Sequence, residues 1–136
     1  MRAPITLYRA GLGFALGQRM LMLTHRGRKS GVWRYVVLEV VERPTRDSYV
    51  VASGFGEDAQ WYRNVLADPR VGVSVGFELS RPARAVPLDE AEVADTLDRY
   101  QRDRPRTWAM LKSTIESATG RPVSTLPMVR FDLIRR

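Results

Sequence analysis

Basic side chains crowd together at one place in this sequence, in and around a short segment that begins and ends with glycine. The residues that could act together there are Arg26, Gly27, Arg28, Lys29, Ser30, Gly31 and Arg34. Guanidinium groups bind phosphate through paired hydrogen bonds, and backbone N–H groups in a glycine-bounded turn can form a concave anion site. We therefore predict that this segment binds a polyanion. The alternative is a solvent-exposed loop whose charges serve only solubility.

A second set of residues could contact the uncharged part of a ligand. Ala52 and Ser53 precede a glycine-containing loop, residues 54–60, that leads into Trp61 and Asn64. N–H groups exposed where a loop enters a helix can bind a phosphate or a ring carbonyl. The indole of Trp61 offers a flat apolar wall, and the amide of Asn64 both donates and accepts hydrogen bonds. Trp61 could equally be a core residue and Asn64 a residue of the helix surface.

The composition excludes several other kinds of site. The chain has no cysteine, which rules out disulfides and thiolate metal sites. His25 is the single histidine, which removes any cluster of histidine metal ligands and disfavours a histidine-based triad. We predict no metal and assign no catalytic residue, because no nucleophile has an evident base. A bound cofactor would then carry the chemistry of an enzyme built on this chain.

The net charge of +7 at pH 7 suggests that the protein binds an anionic partner. A nucleic-acid binder usually concentrates its basic residues on one helix or stripe, whereas here they are dispersed outside residues 26–34. This distribution favours a small anionic ligand over nucleic acid.

The elements that must position these residues are predicted from composition and periodicity. Strands are expected over residues 20–24, 33–41, 49–53, 71–75, 77–86 and 125–134, and helices over 59–67, 89–103 and from Pro105 onwards, with Asp58 as the first N-cap. Residues 1–19 form an apolar segment, expected to be a helix on the core or on a membrane surface. Short connections make neighbouring strands antiparallel. The prediction is one mainly β (α+β) domain, residues 1–136, built as a small barrel dressed with helices.

Several motifs resemble those of the deazaflavin-dependent nitroreductase family, which are split-barrel flavin and deazaflavin oxidoreductases. They are T-x-x-G-R-K-S-G-x-x-R at 24–34, A-S-G at 52–54, W-Y-x-N at 61–64 and L-P-M-V at 126–129. The resemblance covers nearly the whole chain. It implies an FMN-binding-like split β-barrel of about six antiparallel strands that binds coenzyme F420, in a cytoplasmic reductase of actinobacterial type.

The resemblance also implies roles for the two sets of residues. Those that would hold the phosphate and oligoglutamate tail of F420 are Arg28, Lys29, Ser30, Gly31 and Arg34. Those that would border the deazaflavin ring and its ribityl chain are Ala52, Ser53, Gln60, Trp61 and Asn64. The implied reaction is hydride transfer from reduced F420 to a quinone, nitro compound or enone. An FMN-dependent reductase on the same barrel, or a lipid or quinone carrier without turnover, are the alternatives.

Three departures from the family pattern bear on the acceptor. Val37 replaces a common proline, Glu39 replaces an aromatic residue on the substrate side of the nitroimidazole reductase, and the loop over residues 54–60 is shorter. Tyr100 and Trp108 are candidates for shaping the substrate side, although Trp108 could simply be core. A homodimer, and peripheral membrane contact through residues 1–18, are further expectations.

Overall fold

Six strands and three α-helices follow one another in the described part of the chain, which in this computed structural model is residues 20–54, 56–76, 78–122 and 126–134. They are β1 (Met20–Arg26), β2 (Trp33–Glu42), β3 (Ser48–Ala52), α1 (Gln60–Ala67), β4 (Arg70–Val75), β5 (Glu78–Pro87), α2 (Glu90–Asp103), α3 (Pro105–Thr119) and β6 (Met128–Leu133). The predicted N-terminal helix, residues 1–19, lies outside the described residues, and the assignment of 1–136 to a single domain stays a prediction.

The strands form a closed barrel in the order β1-β2-β3-β6-β5-β4, and β4 pairs with β1 to complete the ring. Every pairing is antiparallel. Leu23 illustrates the closure, since it lies opposite Val36 of β2 on one side and Val73 of β4 on the other. A closed ring leaves no unpaired sheet edge. The predicted barrel of about six antiparallel strands is confirmed.

Alternation along the strands decides which side chains fill the barrel. Leu21 and Leu23 of β1 are buried, as are Val36, Leu38 and Val40 of β2, because successive side chains point to opposite faces. Helix α1 packs its Trp61 and Val65 against this same core.

Helices α2 and α3 cover part of the outer face of the barrel. Asp89 caps α2 in a reciprocal capping box with Glu92, and Gly120 ends α3 in the left-handed conformation. The cluster beneath the helices is separate from the barrel core and comprises Tyr100, Leu111, Ile115 and Leu126, with Val41, Ala52 and Trp108 packed against it.

Most predicted elements are present with shifted ends. Strand β1 runs two residues further than expected, to Arg26, because its ladder continues through His25 opposite Arg34 and Arg26 opposite Trp33. The connection between β1 and β2 is therefore only residues 27–32, which we call the basic turn. The predicted strand over residues 125–134 is observed as Met128–Leu133.

The prediction that Asp58 caps α1 was wrong. Residues Gly56–Asp58 form a 3₁₀ turn, and the N-cap is Ala59, which makes no side-chain capping bond. The carboxylate of Asp58 instead pairs with Arg63 at 2.8 Å on the helix surface.

Candidate anion-binding site at the basic turn

The basic turn and the start of α1 enclose a hollow of about 300 Å³ at one end of the barrel. We call it the basic hollow, and its lining residues are Gly27, Arg28, Lys29, Ser30, Arg34, Gln60 and Asn64. Three of these carry positive charge and none is acidic. The structure thus brings together six of the ten residues predicted from the sequence to contact the cofactor.

The backbone of the basic turn is fixed by its own hydrogen bonds. The Gly27 N–H donates to the Val32 carbonyl and the Gly31 N–H donates to the Gly27 carbonyl, each at 2.8 Å. Gly31 has φ +73°, in the left-handed region that favours glycine. A Cβ added to Gly27 would lie 2.7 Å from Ser30 Oγ and 3.3 Å from the Val32 carbonyl oxygen, so a larger residue there would have to displace the Ser30 side chain.

Arg28 is anchored to α1 through its backbone and its side chain. Its N–H donates to Asn64 Oδ1 at 3.1 Å, and its Nη1 donates to the same oxygen at 2.8 Å. Asn64 is 2% exposed and lies on the buried face of α1 beside Trp61 and Val65. The guanidinium is thus held in place before any ligand binds.

His25 lies on the other side of Asn64. Its Nδ1 is 3.0 Å from Asn64 Nδ2, and the side chain is 3% exposed. Burial, and to a smaller extent the charge of Arg34, lower the pKa of His25 from 6.5 to about 4. The imidazole is therefore neutral at pH 7.

Arg26 points away from the hollow. Its guanidinium lies over the Trp33 ring, 5.7 Å from the centroid, and its Nε donates to the Gly31 carbonyl at 3.2 Å. Arg26 braces the turn from outside and does not line it.

Gly31, although it belongs to the basic turn, does not line the basic hollow, and neither do Ala52, Ser53 and Trp61. The Ser53 hydroxyl is buried and donates to the Gly56 carbonyl at 2.6 Å, which shapes the loop that follows. Trp61 is 7% exposed and lies in the barrel core, with its ring centroid 6.5 Å from that of Phe131. Their predicted contacts with the cofactor ring stay predictions.

A second cavity, of about 380 Å³, lies beside the Gly56–Asp58 turn. Its lining combines that turn with the end of α3, the two residues after Gly120 and the two residues before β6. The lining residues are Gly56, Glu57, Asp58, Ile115, Ala118, Thr119, Arg121, Pro122, Leu126 and Pro127. Tyr100 and Trp108 do not line it; they pack edge to face with centroids 6.3 Å apart, in the cluster beneath α2 and α3.

The sequence profile of the family described as F420H(2)-dependent quinone reductase matches residues 2–127. The chain belongs to this family. A Mycobacterium tuberculosis (strain H37Rv) relative, Rv3178, whose name places it among F420H(2)-dependent quinone reductases, is 38% identical over 88 residues, covering 63% of this chain and 72% of the relative. The expected F420-dependent reductase is thus confirmed, with F420 as its cofactor.

Two solved structures have the same fold as this reductase. The structure described as the F420-H2 dependent reductase FDR-A superposes with a TM-score of 0.60 at 26% identity, covering 84% of this chain and 94% of that one. A structure described as a domain-swapped dimer gives a TM-score of 0.60 at 23% identity, covering 95% and 99% of the two chains. The expected split barrel is confirmed. None of the helices in the described residues has the length and hydrophobicity needed to span a bilayer.

The donor set of the basic hollow fits the anionic part of F420. Arg28, Lys29 and Arg34 supply positive charge, and the hollow has no acidic lining residue to repel phosphate or carboxylate. Two neutral amide side chains, Gln60 and Asn64, complete the lining. These are the residues of the reductase that would hold the phosphate and tail of the cofactor.

Glu39 is the buried carboxyl group of the barrel wall. It alternates with Val36, Leu38 and Val40 along β2, which places it on the outer face, yet it is only 8% exposed. Its Oε1 has no hydrogen-bond partner within the described ranges. Burial raises the pKa of Glu39 to about 7, against a smaller opposing effect of Arg104.

Two residues of the site were not among the predicted cofactor contacts. Gly27 lines the basic hollow, and His25 contacts Asn64 behind it. The signal for His25 was present in the alternation of β1, where it follows Leu21 and Leu23 on the inward face. A lone histidine carries no metal-site pattern, and its partner Asn64 lies 39 residues away.

Proposed function

We propose that the basic hollow holds the phosphate and oligoglutamate tail of F420, and that a quinone-type acceptor binds in the second cavity. The observation that carries the first half is the lining of the hollow, with three basic side chains and no acidic one. Arg28, anchored at 2.8 Å to Asn64, presents its guanidinium in a fixed position for phosphate. Lys29 and Arg34 add charge toward the carboxylates of the tail.

The proposed position of the acceptor is supported by the short chain segment that connects the two cavities. Gly56, Glu57 and Asp58 line the second cavity, and Gln60, two residues further on, lines the basic hollow. The ring of a cofactor whose tail lies in the hollow would follow this stretch, bordered by Ala52, Ser53 and Trp61 as the family resemblance implies. Bound reduced F420 supplies a hydride. The protein contributes fixed charges, position and a shaped cavity.

The apolar walls of the second cavity suit a quinone ring. Ile115 and Leu126 provide apolar contact, while the guanidinium of Arg121, which also lines the cavity, provides hydrogen-bond donors for ring oxygens. Nitro compounds and enones are smaller electron-poor acceptors that the same cavity could admit.

The reductase is further proposed to be a cytoplasmic homodimer. Support comes from the split-barrel neighbour described as a domain-swapped dimer, which covers 95% of this chain. Light scattering on the purified full chain tests the assembly state, and a monomer at all concentrations refutes it. Peripheral membrane contact through residues 1–18 stays a prediction outside the described residues.

Cofactor binding is tested by titrating the purified protein with F420 and with FMN while following tryptophan fluorescence. We expect F420 to bind more tightly than FMN, with an affinity that falls at high salt because charge contacts are screened. Binding of FMN alone would keep the fold and change the cofactor. Binding of neither would favour a carrier.

The acceptor cavity is tested by filling it. Ala118 lines the cavity on α3, so Ala118→Trp should raise the KM for a quinone while leaving F420 affinity unchanged. Ser113→Trp, at an exposed position of the same helix outside the cavity lining, is the matched control. An equal effect of both variants would place the acceptor elsewhere.

A further inference from the structure

Asn64 is a polar residue on the buried face of α1. The buried residues of α1 are Trp61, Asn64 and Val65, and Asn64 is 2% exposed. An amide so deeply buried is costly unless both its donor and its acceptor find partners. Here both do, with Arg28 on one side and His25 on the other.

The chemistry of Arg28 fixes which way the amide points. Arg28 offers only donors to Asn64, its backbone N–H and its Nη1, at 3.1 and 2.8 Å. The reversed amide would direct its NH₂ group at both of them, with no acceptor among the three. The carbonyl oxygen therefore faces Arg28 and the NH₂ group faces His25.

This orientation fixes the histidine in turn. Asn64 Nδ2 lies 3.0 Å from His25 Nδ1 and can only donate, so Nδ1 must carry a lone pair and the ring proton must lie on Nε2. Arg34, opposite His25 in the β1–β2 register, is the charged group that faces the ring and opposes its protonation.

We propose that His25 is a positioning residue for cofactor binding: its Nδ1 lone pair fixes the amide of Asn64, whose oxygen holds Arg28 at the basic hollow. His25 does not line the basic hollow, and it acts through two hydrogen bonds in series, one to Asn64 and one from Arg28 to Asn64. The effect on affinity rests on the proposed function, that is, on the basic hollow binding the tail of F420. The hydrogen-bond order in the free protein does not depend on it.

Two substitutions separate the lone pair from the volume of the ring. His25→Asn places a carbonyl oxygen at the branch position that Nδ1 occupies, and so keeps an acceptor for Asn64. His25→Leu places a methyl group there and leaves the NH₂ group without its acceptor. A side chain that merely filled the core would be replaced better by leucine than by asparagine.

The first experiment is an F420 titration of the wild-type protein and both variants. We expect His25→Leu to weaken binding about tenfold, the equivalent of one hydrogen bond, and His25→Asn to restore most of the wild-type affinity. Equal affinity of His25→Leu and wild type, or better binding by His25→Leu than by His25→Asn, would overturn the proposal.

The second experiment uses the ligand-free protein. Nitrogen-15 NMR should find His25 Nδ1 unprotonated and Nε2 protonated, and the Arg28 amide should exchange faster with solvent in His25→Leu than in His25→Asn. A proton on Nδ1 would overturn the proposal even if F420 binds. If wild-type protein fails to bind F420, the proposed function falls, and these spectra still decide the hydrogen-bond order.

Discussion

Two buried ionisable side chains, His25 and Glu39, lie on neighbouring strands and face opposite sides of the barrel wall. Burial withholds water from the charged form of each, so the base loses proton affinity and the acid gains it. The pKa of His25 falls to about 4 and that of Glu39 rises to about 7. Histidine is thus neutral at physiological pH, whereas Glu39 is close to half ionised.

Glu39 should destabilise the protein as the pH rises. Its folded-state pKa, about 7, exceeds the ordinary value of 4.5, so its contribution is fully present below pH 4.5 and is lost as the pH rises through 7. At pH 8 the ionised group should cost about 3 kcal/mol. Glu39→Gln should therefore be more stable than wild type at pH 8, and close to it at pH 4.5. Urea unfolding at both values measures the difference, and parallel curves would refute it.

The charges of the basic turn should act on the ligand more than on the fold. Arg28→Ala combined with Lys29→Ala should weaken F420 binding by about 2 to 4 kcal/mol, taking about 1 to 2 kcal/mol for each charge-assisted contact. Isothermal titration calorimetry measures it. Arg102→Ala, an exposed arginine near the end of α2, is the matched control and should leave affinity unchanged. Unchanged F420 affinity in the double variant would show that the tail does not bind in the basic hollow.

At the scale of elements, the basic turn is a six-residue connection whose shape depends on backbone conformation. Gly31 and Gly120 share a left-handed φ, +73° and +69°, one in the basic turn and one at the end of α3. Neither would meet a close neighbour through an added Cβ, so each tests the backbone conformation alone.

Gly31→Ala and Gly120→Ala should lower the free energy of unfolding by similar amounts, about 1 to 2 kcal/mol, because an L-residue strains the left-handed region. Only Gly31→Ala should also weaken F420 binding, since it disturbs the backbone beside Arg28. Thermal unfolding and the F420 titration, run on both variants, separate the two effects. Loss of affinity in Gly120→Ala would contradict the assignment.

The elements could largely be predicted from the sequence, because strand alternation and helix starts are local signals. Helix α3 begins at Pro105 as residue type indicated, and α2, expected over 89–103, spans Glu90–Asp103 with Asp89 as its cap. The N-cap predicted at Asp58 failed because Asp58 lies in a 3₁₀ turn and its carboxylate pairs with Arg63 instead of capping α1.

Residue types and spacing alone predicted only the part of the candidate site that is close in sequence, and the family resemblance added Gln60 and Asn64 to the same cofactor site. Arg28, Lys29 and Ser30 belong to the basic turn and Arg34 follows it on β2, so these four residues are close in the chain as well as in the hollow. The link from His25 through Asn64 to Arg28 spans 39 residues and depends on how α1 docks on the barrel. Pairing of β1 with β4, which closes the ring, is likewise long-range and has no local signal.

At the scale of the whole molecule, the two buried groups should nearly cancel in the pH dependence of stability. As the pH rises from 4.5 to 6.5, His25 adds stability, because the unfolded chain alone binds its proton in this range. Glu39 removes stability over the same interval, because the folded chain retains its proton longer. The wild-type curve should therefore be nearly flat there.

Replacing either residue alone should reveal the pH dependence of stability that the other residue causes. Glu39→Gln should gain about 2 to 3 kcal/mol of stability between pH 4.5 and 6.5, and His25→Asn should lose a similar amount. Urea unfolding at closely spaced pH values measures both curves. Slopes of the same sign in the two variants would show that the groups do not oppose each other.

The closed barrel and its outer helices should also differ in how readily they unfold. Strand β1, which leads into the basic turn, pairs with β2 on one side and with β4 on the other, so we expect it to unfold only with the barrel. Helices α2 and α3 pack on the outer face of the barrel through clusters separate from the barrel core, so we expect them to unfold before the ring does. Because α3 lines the second cavity, mild denaturant should produce a partly unfolded molecule that still binds reduced F420 but has lost the proposed acceptor site.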